Sequence, residues 1–183
     1  MPYDAPDLAM LNLSEIAELA AARKLPPVET WDPAQTGDSE MRIGADGTWF
    51  HQGSEIRRPA MVRAFSSLLR CESDGQHWLV TPSQKLSIDV EDAAFVAVEM
   101  QSEGEFEKRC LAFRLNSDDL VMAGPTSELA LREGLPYLYV RNGLWAKVAR
   151  SVYYELAEIG LSESPEFPKV WSNGVAFKIG ASE

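Results

Sequence analysis

The stretch WFHQGSEIRRPAMVRAF, residues 49–65, has a counterpart 90 residues on in YVRNGLWAKVARSVYYE, residues 139–155. Each reads as a short aromatic-rich strand, a polar pair, a glycine and then a helix. Gly53 falls on Gly143, Arg57 on Lys147 and Val62 on Val152. The agreement lies in residue type more than in identity. Two origins fit it: a duplicated unit, or a common strand–glycine–helix connection recurring by chance. The patterns predict helices over 56–70 and 144–159. Pro59 is compatible only with a first helical turn, where its missing N–H costs nothing.

Working outward, apolar spacing predicts a helix from Asp7 to Arg23, stopped by Pro26 and Pro27. Residues 28–39 read as a loop. Asp46-Gly47, Asp74-Gly75 and Asn173-Gly174 each sit between short apolar runs. These pairs tolerate the positive φ of a tight turn, so hairpins are expected over 41–51, 70–81 and 169–179. Further strands are expected at 86–90, 94–101, 106–115, 120–122 and 137–141. The expected fold class is therefore α+β in two sub-domains, with a duplicated core if the first of the two origins holds. Residues 1–27 form a leader and helix, 28–80 an N-terminal α+β sub-domain, and 81–183 a C-terminal sub-domain.

The chain has 183 residues, 45% of them hydrophobic and 25% charged, with a net charge of -11. Such a chain can bury a sizeable core. Its charge opposes non-specific binding to nucleic acid or an anionic membrane. No run approaches the ~18 apolar residues of a membrane span. The start, MPYDAPDLAM, lacks the basic and apolar regions of a signal peptide, so the expected location is cytoplasmic. Cys71 and Cys110 have no metal-ligand spacing and read as free thiols, a disulfide being the alternative.

His51 and His77 are the only histidines and form no HxH or HExxH pattern, so no metal or cofactor is expected. Ser66-Ser67 lies within a helical pattern rather than on a GxSxG elbow. Glu91-Asp92 reads as a turn or exposed rim.

Charge sharpens the comparison of the two stretches. Residues 51–70 and 137–150 each carry a net +3, so the remainder carries -17. Cations before a helix N-terminus oppose the macrodipole. An anion would resolve that conflict, because helix N–H groups and a guanidinium together receive phosphate or carboxylate. The alternative is that these residues are solvated or paired with some of the 28 acids.

Three stretches, DGTWFHQGSEIRRPAMVRAFSSLLR (46–70), LVTPSQKLSIDVEDAAFVAV (79–98) and PYLYVRNGLWAKVARSVYYELAE (136–158), resemble the bacterial DUF1285 family over roughly residues 28–180. The resemblance implies a duplicated α+β fold. It also implies a C-terminal half like the pleckstrin-homology fold, a bent antiparallel sheet closed by one helix. It further implies a site between the halves for a nucleotide-like ligand, with a role in signal transduction. The family's motif positions fall on Asp46, Gly47, Trp49, His51, Gly53, Arg58, Thr81, Pro82, Lys85, Asp92, Tyr137, Val140 and Arg141. Arg57 is an addition to the usual single basic residue, which leaves open whether it or Arg58 faces a ligand.

The first expectation is then a ligand-binding or regulatory protein. His51, Arg57, Arg58, Lys85, Asp92 and Arg141 are candidates around a phosphate-bearing anion, with Trp49 or Tyr139 stacking on a ring. The second is a protein-interaction module without a small-molecule ligand. The third is an enzyme, which would need His51 within hydrogen-bond reach of Asp92 as a general base.

Overall fold

The computed structural model describes residues 7–180. The expected leader therefore lies largely outside the described residues. The first sheet has six strands: β1 (Gln35–Ile43), β2 (Trp49–His51), β3 (Ser54–Glu55), β4 (Leu69–Cys71), β5 (His77–Val80) and β6 (Gln84–Val90). The second also has six: β7 (Phe95–Glu103), β8 (Cys110–Leu115), β9 (Leu120–Met122), β10 (Leu129–Arg132), β11 (Leu135–Arg141) and β12 (Leu144–Val148). A final hairpin pairs β13 (Lys169–Ser172) with β14 (Val175–Lys178). Three α-helices accompany them: α1 (Leu13–Ala22), α2 (Pro59–Ser66) and α3 (Arg150–Glu163).

Both sheets have one topology. The first runs β3-β2-β1-β6-β5-β4, and the second, taken from its β9 edge, runs β9-β8-β7-β12-β11-β10. Each is two three-stranded antiparallel meanders joined where its first and last strands pair in parallel. Corresponding strands start at Gln35 and Phe95, at Leu69 and Leu129, and at Gln84 and Leu144, each pair 60 residues apart. The core is thus duplicated with a period of about 60 residues, which corrects the expected spacing of 90. Stretches 49–65 and 139–155 are not equivalent: one leaves the third strand of its half for α2, the other leaves the sixth strand for α3. The second sheet curls into a half-barrel, and α3 follows its strands.

Two predicted helices begin late. Residues 144–148 alternate, with Leu144, Ala146 and Val148 buried, and this period of two makes β12. Only at Arg150 does the chain turn helical, burying Val152, Leu156 and Gly160 at four-residue intervals. Likewise β3 precedes α2, which starts at Pro59. The opening of one strand and the whole of another sit where loops were expected. The polar stretch opening β1 is held by backbone pairing to β6, and β10 by pairing to β11. Because β6 belongs to the first sheet, a division after residue 80 would cut that sheet; the two halves meet instead in the loop between β6 and β7.

One hydrophobic cluster spans both sheets, from Ile43, Trp49, Leu69 and Leu79 to Phe95, Leu111, Phe113 and Leu138. Each such fully buried side chain contributes roughly 1.5–3 kcal/mol. The halves also meet through main chain. Cys71 N–H donates to Asn142 C=O at 3.0 Å, and Asn116 Nδ2 donates to Gly47 C=O at 3.3 Å. No helix among the described residues is long and apolar enough to cross a membrane.

Candidate functional site

The connection out of α1 brings a side chain of the N-terminal segment to the junction of the halves. Asn12 and Glu15 form a capping box that starts α1. Ile16 is buried with Leu8 and Ala112, so α1 lies on β8 and β9 of the second half. The chain then returns towards the first half through Arg23 and Leu25. Between this segment, α2 and the β8–β9 turn lies a cleft of about 580 Å³. Arg23, Arg63, Asp118, Asp119 and Arg141 form its polar wall, and Met10, Leu11, Leu19, Leu25 and Leu120 its apolar wall.

Asp119 sits at the bottom of this arrangement, with only 4% of its side chain exposed. It accepts a 2.6 Å hydrogen bond from Ser117 Oγ and pairs with Arg23. Arg141 Nη2 reaches the same carboxylate at 3.4 Å. Neighbouring Asp118 is held at 3.0 Å by Arg114, which also holds Glu99. Arg63 Nη1 donates to Ser117 C=O at 3.4 Å. Burial pushes the Arg141 pKa down to about 10, because its long contact to Asp119 does not offset lost hydration. The guanidinium remains charged at neutral pH. Its Cζ lies 5.3 Å from the Phe95 ring centre.

The residues expected at a site are dispersed. Arg141 enters the cleft described above. Trp49 and Arg57 line a smaller neighbouring one of about 360 Å³, which shares Asp118 with it. Trp49 is 2% exposed and stacked on Phe65, leaving almost no free ring face. Arg57 is largely in solvent, 3.5 Å from Glu55. His51, Arg58, Lys85, Asp92 and Tyr139 line neither cleft. Arg58 is the exposed N-cap residue of α2. Lys85 holds Glu72 at 2.8 Å and covers the Trp78 ring. Tyr139 packs edge-on against Trp145, and its hydroxyl accepts from Gly143 N–H at 3.2 Å.

The two basic segments therefore do not converge as helix starts. Lys147 lies on β12 and binds Asp92, and α3 contributes nothing to the cleft. His51 and Asp92 do not form a pair. His51 is level with Met41 and Val90 with Ile43, so strand spacing puts His51 roughly 15 Å from Asp92. Both Asp92 oxygens are taken, one by the Tyr137 hydroxyl at 2.7 Å and the other by Lys147 at 2.8 Å. Arg23, Arg63 and Asp119 were missed by sequence reasoning. Their only signal was two acids at a strand end, indistinguishable from a solvated turn. No group of three or more potential metal ligands occurs among the described residues.

The Asp92 contacts give a pH dependence. Burial raises its pKa, but the bonds from Lys147 and Tyr137 outweigh burial and hold it below the ordinary carboxylate range. A depressed folded-state pKa stabilises above the unfolded value, near pH 4, and that stability is lost as pH falls through the folded value. Acid unfolding followed by circular dichroism should therefore be less steep below about pH 4 in Asp92→Asn than in wild type. Identical acid limbs would show that the contact is not coupled to folding.

The model for the DUF1285 N-terminal domain matches residues 26–93, and that for the DUF1285 C-terminal domain matches 94–179. The chain is similar to the crystal structure of a DUF1285 family protein from Silicibacter pomeroyi DSS-3. Identity is 39% over 91% of this chain and 94% of that one, with a TM-score of 0.78. It is also similar to a DUF1285 family protein from Shewanella baltica OS155, at 25% identity over 64% of this chain and 90% of that one, with a TM-score of 0.53. No curated protein matches.

Proposed function

We propose that this chain, which belongs to the DUF1285 family, binds an anionic small molecule in the cleft between its halves and acts through that binding as a regulatory protein. The observation that carries the proposal is Arg141: a desolvated cation, on a cleft, whose contact to its carboxylate is 3.4 Å. A buried cation is costly unless well paired, and a ligand anion in charge-assisted contact would complete it. Arg23 and Arg63 stand on the same wall. A regulatory role is reasonable because α1 lies on the second half while Arg23 reaches the shared cleft, so occupancy would bear on several elements at once. The likeness of the second half to the pleckstrin-homology fold rests on its curled sheet and closing helix, and adds no ligand.

Thermal unfolding against a panel of nucleotides, inorganic phosphate and carboxylates tests this. At a hundredfold excess over Kd, a ligand adds about 2.7 kcal/mol, a rise of several degrees in Tm. Arg141→Met should abolish the rise, and Arg58→Ala, outside the cleft, should leave it intact. Absence of a rise with every anion would refute the proposal.

A further inference from the structure

We infer that the turn between β7 and β8, together with the β13–β14 hairpin, is a surface that docks on the same surface of a second copy of this chain. It lies at the opposite end of β8 from the β8–β9 turn, so the inference is independent of the anion cleft.

Phe106 in this turn has a φ of 50°, a left-handed conformation that glycine adopts freely and a bulky side chain rarely. Burial does not offset that strain, since the residue is 56% exposed. The turn is nonetheless fixed in place. Phe106 N–H donates to Glu163 Oε1 at 3.1 Å, and the same oxygen is held by Arg109. A Cβ on Gly104 would lie 2.5 Å from the Lys108 carbonyl oxygen, so the chain is closely folded on itself there. A strained, anchored turn that presents an aromatic ring to solvent fits a contact made outside the chain.

A cleft of about 690 Å³ lies between this turn and β13, lined by Phe106 on the one and Trp171 on the other. Trp171 and Lys169 share the half-exposed face of β13, with Val170 and Ser172 buried on the opposite face. Phe167, 67% exposed, belongs to the connection between Ser164 and Lys169, which both line the cleft. Exposed apolar surface gathered in one place and rimmed by charge marks an association site.

Charge selects the occupant. The turn carries Glu103, Glu105 and Glu107 against Lys108, and the hairpin carries Lys169 and Lys178 with no acid. Lys178 pairs across from Lys169, so both project from one face. Arg109 and Glu163 neutralise each other, and Glu166 is the one further charge in these segments. The surface is thus net negative on the turn and net positive on the hairpin, with an apolar centre. A twofold axis through that centre sets the turn of one copy against the hairpin of the other, so the surface is complementary to itself. A uniformly acidic or basic partner would meet repulsion on one side.

Sedimentation of the full chain tests this. Wild type should form dimers in the micromolar range, and its Tm should rise with protein concentration. Phe106→Gly suits the left-handed backbone and should stay folded by circular dichroism. It should weaken the dimer at least about tenfold and remove the concentration dependence of Tm. Two doubly substituted chains test the charge pattern. Glu105→Lys with Glu107→Lys, and Lys169→Glu with Lys178→Glu, should each be monomeric alone. Mixed together they should form a heterodimer, because each reversed side then meets its opposite. A wild-type monomer throughout the micromolar range, which would leave the surface to a different protein, would overturn the inference. So would a dimer that survives Phe106→Gly, or a mixture of the two charge variants that remains monomeric.

Discussion

Gly143→Ala should destabilise the protein by about 3 kcal/mol or more, and Gly53→Ala by only about 1 kcal/mol. Each glycine is the second residue of a two-residue hairpin turn of the same backbone geometry, although the two turns lie at different places in their sheets. Gln52 and Gly53 have φ of 50° and 80°, and Asn142 and Gly143 have 50° and 76°. Both substitutions therefore pay the cost of a side chain in left-handed backbone, about 1–2 kcal/mol. They differ in surroundings. A Cβ on Gly53 meets nothing within 4 Å, whereas one on Gly143 would lie 2.5 Å from the Cys71 carbonyl oxygen. That oxygen is backbone, and Cys71 N–H is bonded to Asn142, so neither side can yield without parting the halves. Urea unfolding of both variants measures the difference. Equal losses would mean that the turn at Gly143 does not wedge the halves together.

Asp119→Ala should cost about 3–5 kcal/mol, seen as a fall in Tm of roughly 10 °C. Asp119 is 4% exposed and serves Arg23, Arg141 and the Ser117 hydroxyl together. Without it, the desolvated Arg141 guanidinium loses its carboxylate, and that uncompensated buried charge, more than the loss of one bond, sets the magnitude. The loss should be partly recovered when a carboxylate or phosphate is added, because a free anion can take the vacated place. Exposed Glu55 offers the contrast: its pairing with Arg57 is a solvent contact, and Glu55→Ala should change Tm by less than about 2 °C. A loss at Asp119 no larger than that at Glu55 would remove the physical basis of the cleft.

The sheets were legible wherever turn chemistry announced them. Asp46-Gly47, Asp74-Gly75 and Asn173-Gly174 each close a hairpin at the expected position. The chain was misread where two periods overlap. In LWAKVARSVYYELAE the helical spacing of Val152 and Leu156 extends back visually to Leu144, although residues 144–148 bury every second side chain. The opening of β1 gave no signal, since its residues are polar and its parallel partner lies 49 positions away. Parallel pairing of first and last strands is a long-range event that no local pattern encodes.

The site was less legible than the fold. Arg141 was identified, through a basic segment whose expected helix opens instead as a strand and turns helical only at Arg150. Trp49, Lys85, Asp92 and Tyr139 are committed to contacts within the fold. The residues that share the cleft with Arg141 come from three remote parts of the chain: the connection after α1, the face of α2 and the β8–β9 turn. A buried aspartate at the end of a strand looks like any other acid in a chain of -11. Only burial separates Asp119 from the other acids among the described residues, and burial is set by tertiary packing.

The most direct measurement is a crystal structure of the protein grown with the anion that raises Tm most among the nucleotides, inorganic phosphate and carboxylates. The account predicts the anionic group within salt-bridge distance of the Arg141 guanidinium, in the cleft bounded by α1, α2 and the β8–β9 turn. An anion held instead by Arg57, Arg58 or Lys85, with Arg141 still facing Asp119 alone, would contradict it.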